Sequence, residues 1–177
     1  MFKNRILLLT SASIFIFGSS LAVAAPAFKD ITFGSKSTHC GPADARATTA
    51  PDGGVISVLF DKLQAEAGTA KRNHGRVRCD LTLRLASPVD AATKVQLDVR
   101  GAINKTARAT ASSTISIREL AHPLTFSDPD AAGTSRYVTT LPKGARKLSV
   151  SFVATARAKN PESALVSIDS LDVVFIK

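Results

Sequence analysis

The sequence has no tryptophan, one tyrosine and only two cysteines among its 177 residues. Sites that bind sugars or single-stranded nucleic acids by stacking usually need several exposed aromatic rings, so this shortage argues against a stacking site. The sequence also lacks a Gly-x-Ser-x-Gly nucleophile elbow, a glycine-rich phosphate loop and a Cys-x-x-Cys pair. These absences leave no catalytic signature and no recognised nucleic-acid motif, and we predict no cofactor and no specific nucleic-acid binding.

The N-terminus has the layout of a secretory signal peptide. Lys3 and Arg5 are followed by an uncharged, mostly apolar segment over residues 6–21 and then by Ala22-Val23-Ala24. This order predicts a signal peptide over residues 1–24 and a secreted or periplasmic mature chain. No later segment approaches the roughly 20 apolar residues of a membrane span, so none is predicted in the mature chain.

The rest of the chain shows the period-two alternation of β-strands. Residues 79–85, 95–103 and 148–154 alternate apolar and polar side chains. Such alternation puts one set of side chains in a core and the other toward water. The apolar members predicted to share one core are Leu81, Leu83, Leu85, Leu97, Val99, Val150 and Phe152.

Weaker patterns complete the predicted fold. Short strands are expected near residues 31–33 and 109–120, and the apolar run at 55–60 predicts a strand buried on both faces. Residues 164–176 change phase, which predicts a bulge near Asp169-Ser170. Residues 62–70 predict a short helical turn or an irregular loop. Together the patterns predict an all-β fold, a single-domain antiparallel β-sandwich of about seven or eight strands over residues 25–177.

The densest group of cations is Lys71, Arg72, Arg76 and Arg78. The formal charge of +9 falls to +7 when Lys3 and Arg5 leave with the signal peptide. A basic secreted protein is attracted to anionic polysaccharides or lipid headgroups, so these four residues are candidate contacts for such a surface. The alternative is that they are solvated charges with no partner.

Metal sites have little support in the sequence. His39, His74 and His122 are widely separated and predict surface residues, the alternative being that two converge on a metal. Asp128-Pro129-Asp130 could supply oxygen ligands for calcium, but Asp before Pro is also ordinary turn chemistry. We therefore predict no metal ligands and no catalytic residues.

A glycine inside a predicted strand marks a special position. Arg100-Gly101 continues the alternating segment that begins at Val95. Gly weakens a strand unless a bulge or a close backbone contact requires it. Arg100 is then expected either to carry an exposed site or to pair with Asp98 or Asp80 across strands.

The two cysteines, Cys40 and Cys79, are predicted to form a disulfide because the chain is predicted to be exported. A loop with 38 residues inside it would be closed by that bond, which the chain-entropy model values at roughly 4 kcal/mol. The alternative is a pair of thiols acting as a redox centre or as metal ligands. A structural zinc site, however, needs about four ligands.

The sequence around the cysteines resembles a known secreted family. It runs from Cys40-Gly41-Pro42 through Asp52-Gly53-Gly54 and a Val-Leu-Phe-Asp segment at 58–61. It continues with Arg-Cys-Asp-Leu-Thr-Leu at 78–83 and Val-Arg-Gly at 99–101. This order resembles the family catalogued as domain of unknown function 4360. The resemblance implies secretion, a β fold and the Cys40–Cys79 pair, and it implies no activity.

The function that these observations favour is a secreted or periplasmic, non-enzymatic binding module. Its ligand would be an anionic cell-surface component, such as an acidic polysaccharide or lipid headgroups, or a protein partner. The alternative is a secreted hydrolase or inhibitor whose site forms only in three dimensions. Converging acids or histidines in one deep pocket would favour the enzyme, and a flat basic face would favour the binding module.

The signal-peptide prediction is testable by mass. Protein taken from the producing cell should begin at or near Ala25, because signal peptidases cleave after small residues arranged as in Ala22-Val23-Ala24. Intact mass spectrometry measures this directly. Retention of residues 1–24 would show that the segment is an anchor instead.

Overall fold

The structure is a computed structural model that describes residues 26–68, 72–118, 124–126 and 133–176. Within these residues there are eleven strands and no helix. They are β1 (Phe28–Phe33), β2 (Ala45–Thr49), β3 (Val55–Phe60), β4 (Gln64–Ala67), β5 (His74–Leu85), β6 (Thr93–Lys105), β7 (Thr110–Ile117), β8 (Leu124–Phe126), β9 (Gly133–Leu141), β10 (Lys147–Arg157) and β11 (Ala164–Ile176). The predicted signal peptide lies outside the described residues.

The strands form two antiparallel sheets. The first, here called the front sheet, has the order β1-β5-β10-β7-β8. The second, the back sheet, has the order β2-β3-β11-β6-β9, with β4 also paired to β11. The predicted all-β sandwich is therefore confirmed. The strand number exceeds the predicted seven or eight because short strands such as β2, β4 and β8 show too few alternations to be recognised in sequence.

The core lies between the two sheets and contains the residues predicted from alternation. All seven are buried and belong to one apolar cluster. Aromatic rings join the sheets at two places. Phe60 of the back sheet meets Phe152 of the front sheet edge-on at 5.9 Å between ring centroids, and Phe28 stacks on Phe175 at 4.6 Å. Both contacts have geometries that aromatic pairs favour.

Two local predictions were wrong. The strand at residues 55–60 exists as β3, but it is not buried on both faces, since Leu59 is 55% exposed. It lies in the back sheet, whose outer face is uncovered at this position. Residues 62–70 were expected to form a helical turn or a loop, but Gln64–Ala67 form β4. Pairing with β11 overrides the weak local preference of this alanine-rich segment.

The predicted bulge in the last strand is present. The register of β11 against β6 shifts between Ile168 and Ser170, so apolar side chains on both sides of the shift reach the core. Gly101 pairs with Ile168 at this place. A Cβ on Gly101 would collide with the carbonyl oxygen of Ser167. The close backbone contact predicted for this glycine is therefore confirmed.

The predicted disulfide joins Cys40 to Cys79, with 5.4 Å between their Cα atoms. Both cysteines are buried. The bond fixes the connection after β1 to the middle of β5. Residues before Cys40 follow the edge of β5 as well, since the Thr38 amide donates to the Arg78 carbonyl at 2.7 Å and the Gly34 amide donates to the Asp80 carbonyl at 2.8 Å.

The part of the chain that the structure describes contains no helix with the length and apolar character needed to cross a membrane.

Neighbouring residues of β5 provide a test of the core. Leu83 is buried, whereas Thr82 points to the outer face and is partly exposed. Leu83→Ala should lower the free energy of unfolding by roughly 2–5 kcal/mol because it leaves a cavity. Thr82→Ala should cost far less. Urea unfolding of both variants measures the difference, and equal costs would contradict the assigned faces.

Candidate functional site

The outer face of the front sheet is the candidate site, and its central strand is β10. Alternation sends every second residue of β10 outward, while the intervening residues enter the core. The outward residues are Lys147, Ser149, Ser151, Val153, Thr155 and Arg157. Thr82 of β5 and Ser112, Thr114 and Ser116 of β7 extend the same face on either side. The centre of this face is therefore rich in hydroxyl groups.

A depression of about 910 Å³ lies at one end of this face. It is lined by four cations and no carboxylate, the cations being Lys29, Arg84, Arg146 and Lys147. A second depression of about 560 Å³ adjoins it, shares Thr82 and Lys147, and adds Arg118. We call these five cations, with the two depressions that they line, the basic groove.

The groove draws its cations from four places in the chain. Lys29 comes from β1, Arg84 from β5, Arg146 and Lys147 from the start of β10, and Arg118 follows β7. Lys147 stands opposite Arg84 in the register of β5 with β10. The Arg118 amide donates to the Ser149 carbonyl at 3.1 Å, which places Arg118 beside β10.

Most charges of the groove have no partner that would neutralise them. The Arg84 Nε lies 3.8 Å from the Asp30 Oδ1, and the two side chains are 63% and 44% exposed. An exposed pair of this kind contributes little stability. Among the described residues, the other four cations of the groove form no ion pair within 4.0 Å. The groove therefore carries uncompensated positive charge.

A single carboxylate, Asp80, lies in the floor of the second depression, and its charge is satisfied locally. The Arg78 Nε donates to both carboxylate oxygens at 2.8 and 3.0 Å, and the Ser151 hydroxyl donates at 2.6 Å. The backbone of Asp80 is held too, because its amide donates to the Ser37 hydroxyl at 2.9 Å. Asp80 is thus an anchor for Arg78 and Ser151.

These contacts shift the ionisation of Asp80. Partial burial alone would raise its pKa, because desolvation penalises the charged form. The hydrogen bonds from Arg78 and Ser151, together with the charges of Arg78 and Lys36, outweigh burial and hold the pKa of Asp80 below its usual value. Asp80 is therefore ionised at neutral pH and compensates the charge of Arg78.

Three of the four cations predicted from sequence are described by the structure, and they line two different depressions. Arg76 and Arg78 both point outward from β5, on the same face as the basic groove. Arg78 lines the second depression, where Asp80 pairs with it. Arg72 and Arg76 line a different depression of about 410 Å³ beyond the end of the groove. Lys71 lies outside the described residues. Their predicted contact with an anionic surface stays a prediction.

Two of the three histidines come together. His39 and His74 line the same depression as Arg72 and Arg76, and Glu66 faces it as well. The described residues nevertheless contain no group of three or more His, Cys, Asp or Glu placed to hold a metal ion. His122 and the Asp128-Pro129-Asp130 turn lie outside the described residues.

Arg100 forms a direct ion pair with neither predicted partner, although its charge contributes, after that of Arg136, to the lowered pKa of Asp98. Asp98 instead accepts from Arg136 of the adjacent strand β9, at 2.8 and 3.1 Å, and Asp80 pairs with Arg78. Arg100 lies 3.9 Å from Asp172 of β11. Arg100 and Asp98 lie on the back sheet, whereas Asp80 belongs to the front sheet, so the proposed Arg100–Asp80 pair is impossible in this topology.

Arg146 and Lys147 belong to the second-densest group of cations in the sequence, with Lys143, but sequence reasoning did not bring the five cations of the basic groove together. Arg84 and Arg118 occupy polar positions of predicted strands, and Lys147 directly precedes one. Their outward direction was therefore available from alternation. Their proximity was not, because it depends on β10 lying between β5 and β7.

The comparisons with known proteins identify the family. A family model described as Domain of unknown function (DUF4360) matches residues 34–175. The chain belongs to the DUF4360 family. The match reaches well beyond the region around the cysteines and includes the strands of the basic groove from β5 onward. No curated protein matches this DUF4360 chain.

The solved structures that the comparison matches to this chain include carbohydrate-binding modules. One is TmCBM61 in complex with β-1,4-galactotriose, at 6% identity and a TM-score of 0.34, covering 85% of this DUF4360 chain and 91% of that chain. Another is a family 35 carbohydrate binding module from Clostridium thermocellum, at 16% identity and a TM-score of 0.32, covering 85% and 98%. The C-terminal CBM6 of LamC from Zobellia galactanivorans has 9% identity and a TM-score of 0.29, covering 82% and 99%. At these values the likeness says nothing about what the DUF4360 chain binds.

The pKa of Asp80 leads to a pH prediction. Because that pKa is lower in the folded chain than in the unfolded one, the folded state binds fewer protons. The stability that this pKa difference provides is present above the pKa of the unfolded state, near 4, and is lost as the pH falls through the pKa of the folded state. Asp80→Asn should therefore be less stable than the wild type at pH 7 and closer to it at pH 2.5. Urea midpoints at both pH values measure this.

The control is Asp90→Asn, which replaces an exposed carboxylate in the connection between β5 and β6. This variant should follow the wild type at both pH values. A difference between Asp80→Asn and the wild type that stays constant with pH would contradict the proposed role of the charged pair.

Proposed function

We propose that this protein is a secreted, non-enzymatic binding module for acidic polysaccharides, and that the outer face of the front sheet is the binding surface. The observation that carries the proposal is the basic groove, where four cations and no carboxylate line a depression of about 910 Å³. Positive charge gathered in a concave surface raises the local concentration of anionic ligands. The planar guanidinium of arginine also forms paired hydrogen bonds with the two oxygens of a carboxylate and can contact two oxygens of a sulfate group.

The hydroxyl groups beside the groove support a sugar as the ligand. Four hydroxyl residues line the second depression, namely Thr82, Ser116, Ser149 and Ser151. Hydroxyl groups both donate and accept hydrogen bonds, as sugar hydroxyls do. A surface that combines cations with hydroxyl groups therefore matches a polymer that carries both acidic groups and hydroxyls.

The side chains that other anionic partners use are scarce on this face. Single-stranded nucleic acids are bound on exposed aromatic rings, but Tyr137 lies in the back sheet and packs against the core. Phe152, the phenylalanine of β10, is fully buried. Membrane surfaces are usually engaged by an apolar face together with cations, whereas Val153 is the only apolar outward residue of β10. These features favour acidic polysaccharides over nucleic acids and lipids.

The groove does not resemble a hydrolase site. Glycoside hydrolysis usually needs two carboxyl groups that face each other across the bound sugar. Among the residues lining the two depressions of the groove, Asp80 is the one carboxylate, and it is held by Arg78 and Ser151. The proposal therefore includes no cleavage of the polymer.

A charge-matched pair of variants tests this function. The groove variant combines Arg84→Ser, Arg118→Ser and Lys147→Ser. The control removes the same charge from the outer face of the back sheet through Arg46→Ser, Lys94→Ser and Arg100→Ser. Losing three exposed charge contacts worth about 0.5 kcal/mol each should weaken binding about tenfold, whereas the control should bind like the wild type. Titration calorimetry with polygalacturonate and with dextran sulfate measures both variants, and distinguishes carboxylate from sulfate recognition.

Further measurements separate the alternatives. Binding should weaken as salt rises, since exposed charges act over about 8 Å at physiological ionic strength. Neutral dextran should not bind, and polygalacturonate should remain uncleaved after long incubation. Equal losses in both variants would show nonspecific charge attraction. Preference for phosphatidylglycerol vesicles over both polymers would identify a membrane surface instead.

A further inference from the structure

A second group of cations lies at the opposite end of the same face. Arg108, Arg157 and Lys159 line a depression of about 560 Å³ together with Asn73 and Glu162. We call these three cations the far cluster. All three are exposed, and none forms an ion pair within 4.0 Å in the part of the chain that the structure describes. The far cluster is therefore a second basic site, separate from the basic groove, in which three cations outnumber the one carboxylate of Glu162.

The far cluster is held by three chain connections that meet at this end of the sandwich. Arg157 ends β10 and stands opposite Thr110 of β7. The next residue, Ala158, donates its amide to the Asn73 carbonyl at 3.1 Å. Ser163, at the end of the same connection, exchanges hydrogen bonds with Thr106. These contacts fix Arg157 and Lys159 beside the connection that carries Arg108.

Shallow depressions follow β10 from the groove to the far cluster. Lys147, Ser149, Ser151 and Val153 line the second depression of the groove. Thr155 and Arg157 line a smaller one of about 230 Å³, which shares Thr110 and Arg157 with the depression of the far cluster. Every outward residue of β10 thus lies in a depression. We call this row of outward residues of β10, from Lys147 to Arg157, the track. It spans ten residue steps, or about 33 Å at the usual rise per residue of a strand.

We infer that the ligand is a linear acidic polysaccharide that lies along β10 and contacts the basic groove and the far cluster at the same time. This inference rests on the proposed function and adds the length and direction of the bound chain. The two ends of the track supply cations, and the stretch between them supplies the hydroxyl groups of Ser151 and Thr155 together with Arg76, which stands opposite Thr155 on β5. Asp80, the acid in the middle, is compensated by Arg78 and does not repel an anionic chain. The arrangement complements a ligand with repeated charges better than a single anion.

Contact at both ends of the track makes the affinity depend on the length of the polysaccharide. Once one end of a chain is bound in the groove, the far cluster meets the rest of that chain at a high effective concentration. A chain too short to span the track can use only one site at a time. Affinity per chain should therefore rise sharply when the oligomer becomes long enough to reach both sites.

The experiment uses oligogalacturonates of defined length with the full mature protein. One oligomer is shorter than half of the track, and another exceeds its full length. The far-cluster variant combines Arg108→Ser, Arg157→Ser and Lys159→Ser, and the control is the back-sheet variant Arg46→Ser, Lys94→Ser and Arg100→Ser. The wild type and the control should bind the long oligomer at least tenfold more tightly than the short one. The far-cluster variant should lose most of that gain while binding the short oligomer within about twofold of the wild type.

The outcomes distinguish this inference from the function on which it rests. If the wild type binds neither oligomer, the proposed function itself fails. If both oligomers bind but length brings no gain, or if the far-cluster variant keeps the gain, the function stands and the inference is overturned. Thermal unfolding of each variant checks that the fold is intact, and the single variant Lys159→Ser, at an exposed position outside the strands, repeats the test should the triple variant be unstable.

Discussion

The antiparallel pairing of β5 with β10 fixes both the core and the outer face of the front sheet. The two strands are paired from Lys147↔Arg84 to Arg157↔His74, and this register sets which side chains are neighbours. On the inner face it brings Phe152 opposite Cys79, where the disulfide to Cys40 is formed. On the outer face it places Ser151 beside Asp80, which holds Arg78. A shift of one residue would exchange the two faces and remove the core and the site together.

The sequence allowed the fold class and the central strands to be predicted because alternation is a local property. Leu81, Leu83 and Phe152 could be placed in the core from their own neighbours in the chain, and the phase change in β11 indicated its bulge. Residues 64–67 could not be placed in this way, because β4 exists through its pairing with β11. The exposure of Leu59 could not be predicted for a similar reason, since an apolar residue in a strand does not show whether another element covers that face of the sheet.

The candidate site was harder to predict than the core. Sequence reasoning found cations that are close together in the chain, and the three of them that the structure describes are divided between two depressions, with Arg78 neutralised by Asp80. The basic groove combines residues as distant as Lys29 and Lys147, which become neighbours only through the order β1-β5-β10. Charge density along a sequence therefore differs from charge density on a surface whenever strands distant in sequence are paired.

Buried and exposed residues alternate in β10, so neighbouring positions of one strand differ in which substitutions they tolerate. Leu148, Val150 and Phe152 are fully buried, and substitutions there are restrained by packing. The residues between them contact solvent, and exchanges among polar side chains at such positions usually change stability very little. Mutations along the outward row can consequently accumulate without unfolding the protein. Related chains that keep the same inner residues would then be free to diverge in the pattern of charges that they display, so that one scaffold could supply receptors for polymers of different composition.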